Sequence, residues 1–166
     1  LKVAQESIVL LQNRDHLLPL DRKKLKSIAV IGPLADRIVL NNYNGKTGRT
    51  VTALQGIKDY VGKDIAVTYT MGGLVGGDTT GRWKKDSAGV AADPKAALAG
   101  AVKLARQADV AIVFVGTTAA VEQEGRDRKT LGLTGSQEAL VEAVLAANPK
   151  TIVVEMSAGP LTVPWI

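Results

Sequence analysis

Residues 110–147 read VAIVFV (110–115), GTTAAVEQEGRDRKTLGL (116–133) and TGSQEALVEAVLAA (134–147). The first piece is a short continuous apolar run, the pattern of a strand buried on both faces. The last piece carries Leu140, Val144 and Ala147 at helical spacing. Thr134 and Gln137 stand at the offset of a capping box in front of it, and Asn148-Pro149 stops it. Between strand and helix lies a polar loop with Glu122, Glu124, Arg126, Asp127 and Arg128 almost side by side. Strand, charged loop and helix in that order place the charge where α/β proteins keep their ligand chemistry.

The same unit recurs on both sides. Ser27 to Ile31 (SIAVI) and Ile65 to Thr70 (IAVTYT) read as strands, and Thr151 to Met156 (TIVVEM) as a fourth. Thr52 and Gln55 cap a helix from Ala53 to Val61, which Gly62 ends. Asp93 and Pro94 open another, with Ala97, Ala101, Leu104, Ala105 and Ala108 on one face. Leu1 to Asn13 reads as a helix too, on the spacing of Ala4, Ile8 and Leu11. The pattern β-α-β-α-β-α-β predicts an α/β fold, a three-layer sandwich with a mostly parallel, flavodoxin-like sheet.

The connections are unequal. Helix-to-strand links are a few residues long, whereas the strand-to-helix links span 32–51, 71–92 and 116–133. In a parallel sheet all strand-to-helix links lie at the carboxyl edge. Links longer than about 12–15 residues are usually functional or disordered, and three on the ligand-binding edge favour function. Spacing therefore points to a site built by Tyr43, the Gly72–Gly81 region and Glu122–Arg128.

Composition narrows the chemistry. The chain has 166 residues, enough for one domain with a core. It has no cysteine and one histidine, His16, so a metal site and thiol chemistry are disfavoured. Lack of cysteine fits a cytoplasmic, periplasmic or secreted location equally. No apolar run approaches a membrane span. The net charge of +5 raises nucleic acid as a partner. The cations are scattered, however, and aromatics make up 4% of the chain, too few to form a stacking platform. The first strand is followed by G-P-L-A-D, where a dinucleotide fold needs G-x-G-x-x-G and where Pro33 removes an N–H. There is no G-x-S-x-G elbow.

Carboxylates remain. Residues 121–130 hold three acids and three bases. They could form a weakly stabilising surface ion-pair cluster. They could instead hold a carboxyl group over a cleft as general acid and base, with Asp127 and Arg128 orienting the loop.

In order along the chain, AQESIVLLQNRDHLLPLD (4–21), KSIAVIGPLAD (26–36), YNG (43–45) before TALQGI (52–57), ADVAIVFVG (108–116), EQEGRDRKTLGLTGSQEALV (122–141) and GPLTVPW (159–165) resemble the C-terminal α/β domain of family 3 glycoside hydrolases. The branch is that of the β-glucosidases and β-xylosidases. The most specific piece is E-x-E-G-x-D-R-x-x-L-x-L-x-G-x-Q, starting at Glu122.

This resemblance implies retaining hydrolysis of a β-linked oligosaccharide or aryl glycoside, with no cofactor and with Glu124 as acid/base. It implies a nucleophilic Asp on a preceding (β/α)₈ barrel domain, outside this sequence. Residues 1–20 would then be a linker helix and loop from that domain, and 21–166 the sandwich, cut before its last elements. The loop bearing Asn42, Tyr43 and Asn44 corresponds to a substrate-contacting loop; Tyr43 would stack on a sugar or pack the loop. Glu122 does not replace that nucleophile, since a sugar ring has to fit between nucleophile and acid; it joins the substrate-side residues, orients the loop or is simply exposed. Thr134, where the family usually has Pro, would serve as a helix cap. Glu155 interrupts an apolar strand and predicts a sheet edge or a face toward another domain. The apolar surface left by a separated barrel would favour self-association into a homo-oligomer. The alternative reading is a non-catalytic flavodoxin-like module that binds a ligand or packs on another domain. The position of Glu124, open at the carboxyl edge or paired internally with Arg126 or Arg128, separates the two.

Overall fold

A computed structural model describes residues 2–40, 43, 48–76, 90 and 92–166. Asn42 and Asn44 of the first long loop, and Gly77 and Gly81 of the second, lie outside the described residues. Among the described residues four strands form one sheet: β1 (Ser27–Ile31), β2 (Ala66–Thr70), β3 (Val110–Gly116) and β4 (Thr151–Met156). Their order is β2-β1-β3-β4 and every pairing is parallel. Helices among the described residues include α1 (Lys2–Glu6), α2 (Ala53–Val61), α3 (Pro94–Gln107) and α4 (Gln137–Ala147). The parallel α/β sandwich expected from the sequence is the fold observed. Among the described residues no helix is long and apolar enough to cross a membrane.

The sheet is buried on both faces because successive side chains of a strand point opposite ways. Ala29 and Ile31 of β1 and Val113 and Val115 of β3 pack with Ala101 and Ala105 of α3 and Leu140, Val141 and Val144 of α4. Ile28 and Val30 of β1 and Phe114 of β3 pack with Leu54 and Val61 of α2. The alanines of α3 let that helix approach the sheet closely. Each of the larger apolar side chains contributes about 1.5–3 kcal/mol by leaving water.

Helix starts follow the expected chemistry twice. Thr52 Oγ1 accepts from the Gln55 N–H at 3.2 Å and Asp93 Oδ1 from the Ala96 N–H at 2.9 Å. The Gln55 amide does not reach back to close the box; it donates to Asp59 at 2.7 Å. At the third helix start the expectation fails. Ser136, not Thr134, is the N-cap residue of α4, without a side-chain cap bond, and the Thr134 hydroxyl is buried without a partner. Gln137 is drawn away because its amide is used elsewhere, at the end of β3.

The helix expected over residues 1–13 is also corrected. Only Lys2–Glu6 is helical, and Ile8 and Leu11 are 79% and 67% exposed. A short helix is marginal in water without a surface to receive its apolar face, and the described residues provide none here. Glu155 does lie on an edge strand, β4. Its Oε1 is buried without a hydrogen bond, and burial raises its pKa above the ordinary value.

The strand order positions the site. β1 leads through α2 to β2 on one side of it, while β3 leads through α4 to β4 on the other. The connections leaving β1 and β3 therefore diverge to opposite faces. The crevice between their carboxyl ends is the topological switch point, where open α/β sheets take their ligands.

Candidate functional site

The loop after β3 begins with a constraint. Gly116 has φ 147°, and a Cβ there would lie 1.8 Å from the Met156 carbonyl oxygen of β4. Gln137 reaches back from the first turn of α4. It donates to the Gly116 carbonyl and accepts from the Gly116 N–H, both at 2.9 Å, and it donates to the Thr134 carbonyl at 3.0 Å. Its side chain is fully buried, so this amide fixes where β3 ends and the loop starts.

From that anchor the chain turns at Thr118, whose carbonyl accepts from the N–H groups of Val121 and Glu122 at 2.8 and 3.0 Å. Gln123 and Arg126 then exchange backbone bonds of 3.1 and 2.9 Å as an isolated antiparallel bridge. Two residues close the turn, Glu124 and Gly125. Gly125 has φ 74° and Glu124 has negative φ, the pattern of a type II turn, which needs glycine at its third position. Glu124 thus stands at the exposed tip of a tight hairpin. Arg126 donates to the Ala120 carbonyl at 3.1 Å, inside the loop and away from Glu124.

Glu122 and Glu124 have opposite surroundings two residues apart. The Glu122 side chain is 15% exposed and that of Arg128 is 7% exposed, with Nε to Oε2 at 2.5 Å. Glu122 Oε1 also accepts from the Thr117 hydroxyl, and from the Ser157 hydroxyl and the Ala158 N–H at 3.3 Å each. Arg128 goes on to donate to the Pro160 carbonyl at 2.7 Å. Burial pushes the Glu122 pKa up. The Thr117 hydroxyl, the Arg128 charge, the Ala158 N–H and the Ser157 hydroxyl outweigh it and hold the carboxyl below the usual glutamate value. Among the described residues Glu124 accepts one bond, from the Tyr43 hydroxyl of the loop after β1. That contact joins the loop after β1 to the loop after β3.

The geometry redistributes the residues singled out in the sequence. Tyr43 and Glu124 come together. Glu122, expected to face substrate, to orient the loop or to be simply exposed, has both carboxylate oxygens committed within the protein, which fits the orienting role alone. Of the pair expected to orient the loop, Arg128 is engaged, whereas Asp127 is exposed and makes no hydrogen bond or ion pair among the described residues. Sequence reasoning missed Thr117 and Ser157, and it gave the Gly159-Pro160 segment no part in holding the loop. It also assigned Gln137 to the wrong task; a glutamine at a helix start was the available signal, and it fitted two roles.

A folded pKa held below the unfolded one stabilises the fold above the unfolded value, and the contribution is lost as pH falls through the folded value. Glu122→Gln is therefore expected to flatten the acid side of the stability curve. Between roughly pH 5 and pH 3 the parent should lose stability that the variant does not carry. Thermal midpoints across that range test this, and parallel acid limbs would refute it.

Comparison with known proteins places this geometry. The family described as glycosyl hydrolase family 3 C-terminal domain matches residues 8–166. A β-xylosidase of Formosa agariphila is 33% identical over all of this chain and 22% of its own length. A periplasmic β-glucosidase of Salmonella typhimurium is 34% identical over 96% of this chain and 22% of its own. The solved structure of a β-glucosidase from Erythrobacter marinus superposes with a TM-score of 0.77 at 28% identity, covering 96% of this chain and 23% of that one. The chain thus spans about a fifth of the length of these relatives. With a match over nearly its whole length and the same parallel sandwich, the chain belongs to the glycosyl hydrolase family 3 C-terminal domain family.

Proposed function

We propose that this chain supplies the general acid/base of a retaining β-glycosidase acting on terminal β-D-glucosides or β-D-xylosides. Glu124 is that group, and the nucleophile comes from a (β/α)₈ barrel domain packed over the carboxyl edge. The observation carrying this reading is the contrast within one loop. Glu122 is locked inside, while Glu124 is exposed at a hairpin tip on the crevice, paired with neither Arg126 nor Arg128. A packing module would have no need to display a carboxylate there.

The chemistry follows from that placement. The protonated Glu124 donates to the glycosidic oxygen as the bond to the anomeric carbon breaks and the nucleophile attacks from the opposite side. The resulting carboxylate then takes a proton from the water that releases the sugar. The nucleophile has to lie about 5–5.5 Å from Glu124 for retention. Glu122 cannot serve, because its oxygens are held by Thr117, Ser157, Ala158 and Arg128. Tyr43, 71% exposed and hydrogen-bonded to Glu124, is the side chain that meets the sugar in this reading, with Asn44 beside it in sequence.

The 166-residue chain alone is expected not to hydrolyse p-nitrophenyl β-glucoside or β-xyloside, because it has one of the two carboxylates. Turnover by the chain alone that Glu124→Gln abolishes would overturn the two-domain mechanism.

A further inference from the structure

The acid/base hairpin has no helix or strand of its own to hold it. Its internal bonds are the Gln123–Arg126 bridge and the Arg126 contact to Ala120. What ties it to the sheet is the pair beneath. Glu122, just before the hairpin, binds Thr117 at the end of β3 and Ser157 and Ala158 after β4. Arg128, just after it, binds Glu122 and the Pro160 carbonyl. The two legs of the hairpin are thus joined to each other and to the segment Ser157–Pro160, about 30 residues further along the chain. That segment is fitted to them: a Cβ on Gly159 would lie 3.0 Å from Arg128 Nη2 and 3.4 Å from Glu122 Oε2.

We infer that Glu122 and Arg128 are positioning residues, which set where Glu124 stands by pinning its hairpin to the loop after β4. This rests on the reading of Glu124 as the acid/base. The pair is charged and nine-tenths or nearly so buried, the arrangement in which losing one partner leaves the other uncompensated. General acid catalysis requires hydrogen-bond reach to the leaving oxygen, and displacement by about 1 Å can cost 10²-fold in rate. Neither residue needs to touch substrate to matter.

Two variants test it. Glu122→Gln keeps the shape and removes the charge. Gly159→Ala keeps both charges and pushes on the guanidinium from outside. In the 166-residue chain, exchange of the Gln123 and Arg126 amide protons should quicken by about tenfold or more in each variant, with Val113 in β3 unchanged. In the two-domain enzyme, kcat/KM should fall by about 10- to 100-fold for glycosides with poor leaving groups and by less than about twofold for a 2,4-dinitrophenyl glycoside, which needs no proton. A purely structural defect would instead lower all substrates alike. Glu124→Gln is the reference. If it shows the leaving-group dependence and the two variants do not, or if hairpin exchange is unaltered, the positioning role is overturned while the acid/base reading stands. If Glu124→Gln itself shows none, both fall together.

Discussion

Where this chain is joined to the proposed barrel domain, replacing Glu124 by alanine is expected to lower kcat/KM for a β-linked disaccharide by about 10²–10⁴-fold. The loss should be far smaller for a 2,4-dinitrophenyl glycoside, whose leaving group departs without a proton. With that activated substrate the glycosyl-enzyme accumulates, because no base remains to activate water. Added azide, which attacks without a base, should restore turnover and give a β-configured glycosyl azide, as a double displacement requires. The basis is that Glu124 is the exposed carboxylate at the hairpin tip, reached by the Tyr43 hydroxyl, while Glu122 is spent on Arg128 and three hydrogen-bond donors. An alanine variant that hydrolyses the disaccharide at the parent rate would remove Glu124 from the mechanism.

Gly116→Ala is expected to be the most damaging substitution for the fold. The added Cβ would meet the Met156 carbonyl at 1.8 Å, and φ at 147° is a conformation alanine avoids. Neither partner can give way cheaply. Gly116 is clamped on both its N–H and carbonyl by Gln137, and Met156 is its register partner in β4, with its carbonyl also accepting from the Thr117 N–H at 2.9 Å. Relief requires separating the ends of β3 and β4 or moving α4. A cost above about 4 kcal/mol is expected, a large share of the 5–15 kcal/mol that a domain has. Gly100→Ala provides the contrast. It sits in α3 with nothing within 4 Å of its would-be Cβ, and the change should stabilise by up to about 1 kcal/mol. Urea unfolding of both variants measures the difference. A Gly116→Ala midpoint near that of the parent would show that the strand ends are not as rigid as the contacts imply.

The two substitutions mark how far the chain could be read from its residues. The repeating units, the parallel sheet and the strand limits were legible, because apolar run length and helical spacing are local properties. Thr52, Asp93 and Gly62 act as their local chemistry suggests. The 1–13 helix was misread for a related reason: its spacing is helical, but helicity needs a partner surface, which spacing does not contain. The box at Thr134 was misread because Gln137 had a stronger offer from the backbone of Gly116, whose nearness is set by folding.

The site divides the same way. Loop lengths placed the charges on the carboxyl edge, and the family motif singled out Glu124. Nothing in a charge-balanced run says which glutamate is buried. That choice depends on the order β2-β1-β3-β4, which sets the β1 loop with Tyr43 beside the β3 loop and the β4 loop under Glu122 and Arg128. Secondary structure follows from periodicity along the chain. The surroundings of Glu122 and Glu124 follow from neighbours some 30 and 80 residues away in sequence, which only the packed sheet brings within reach.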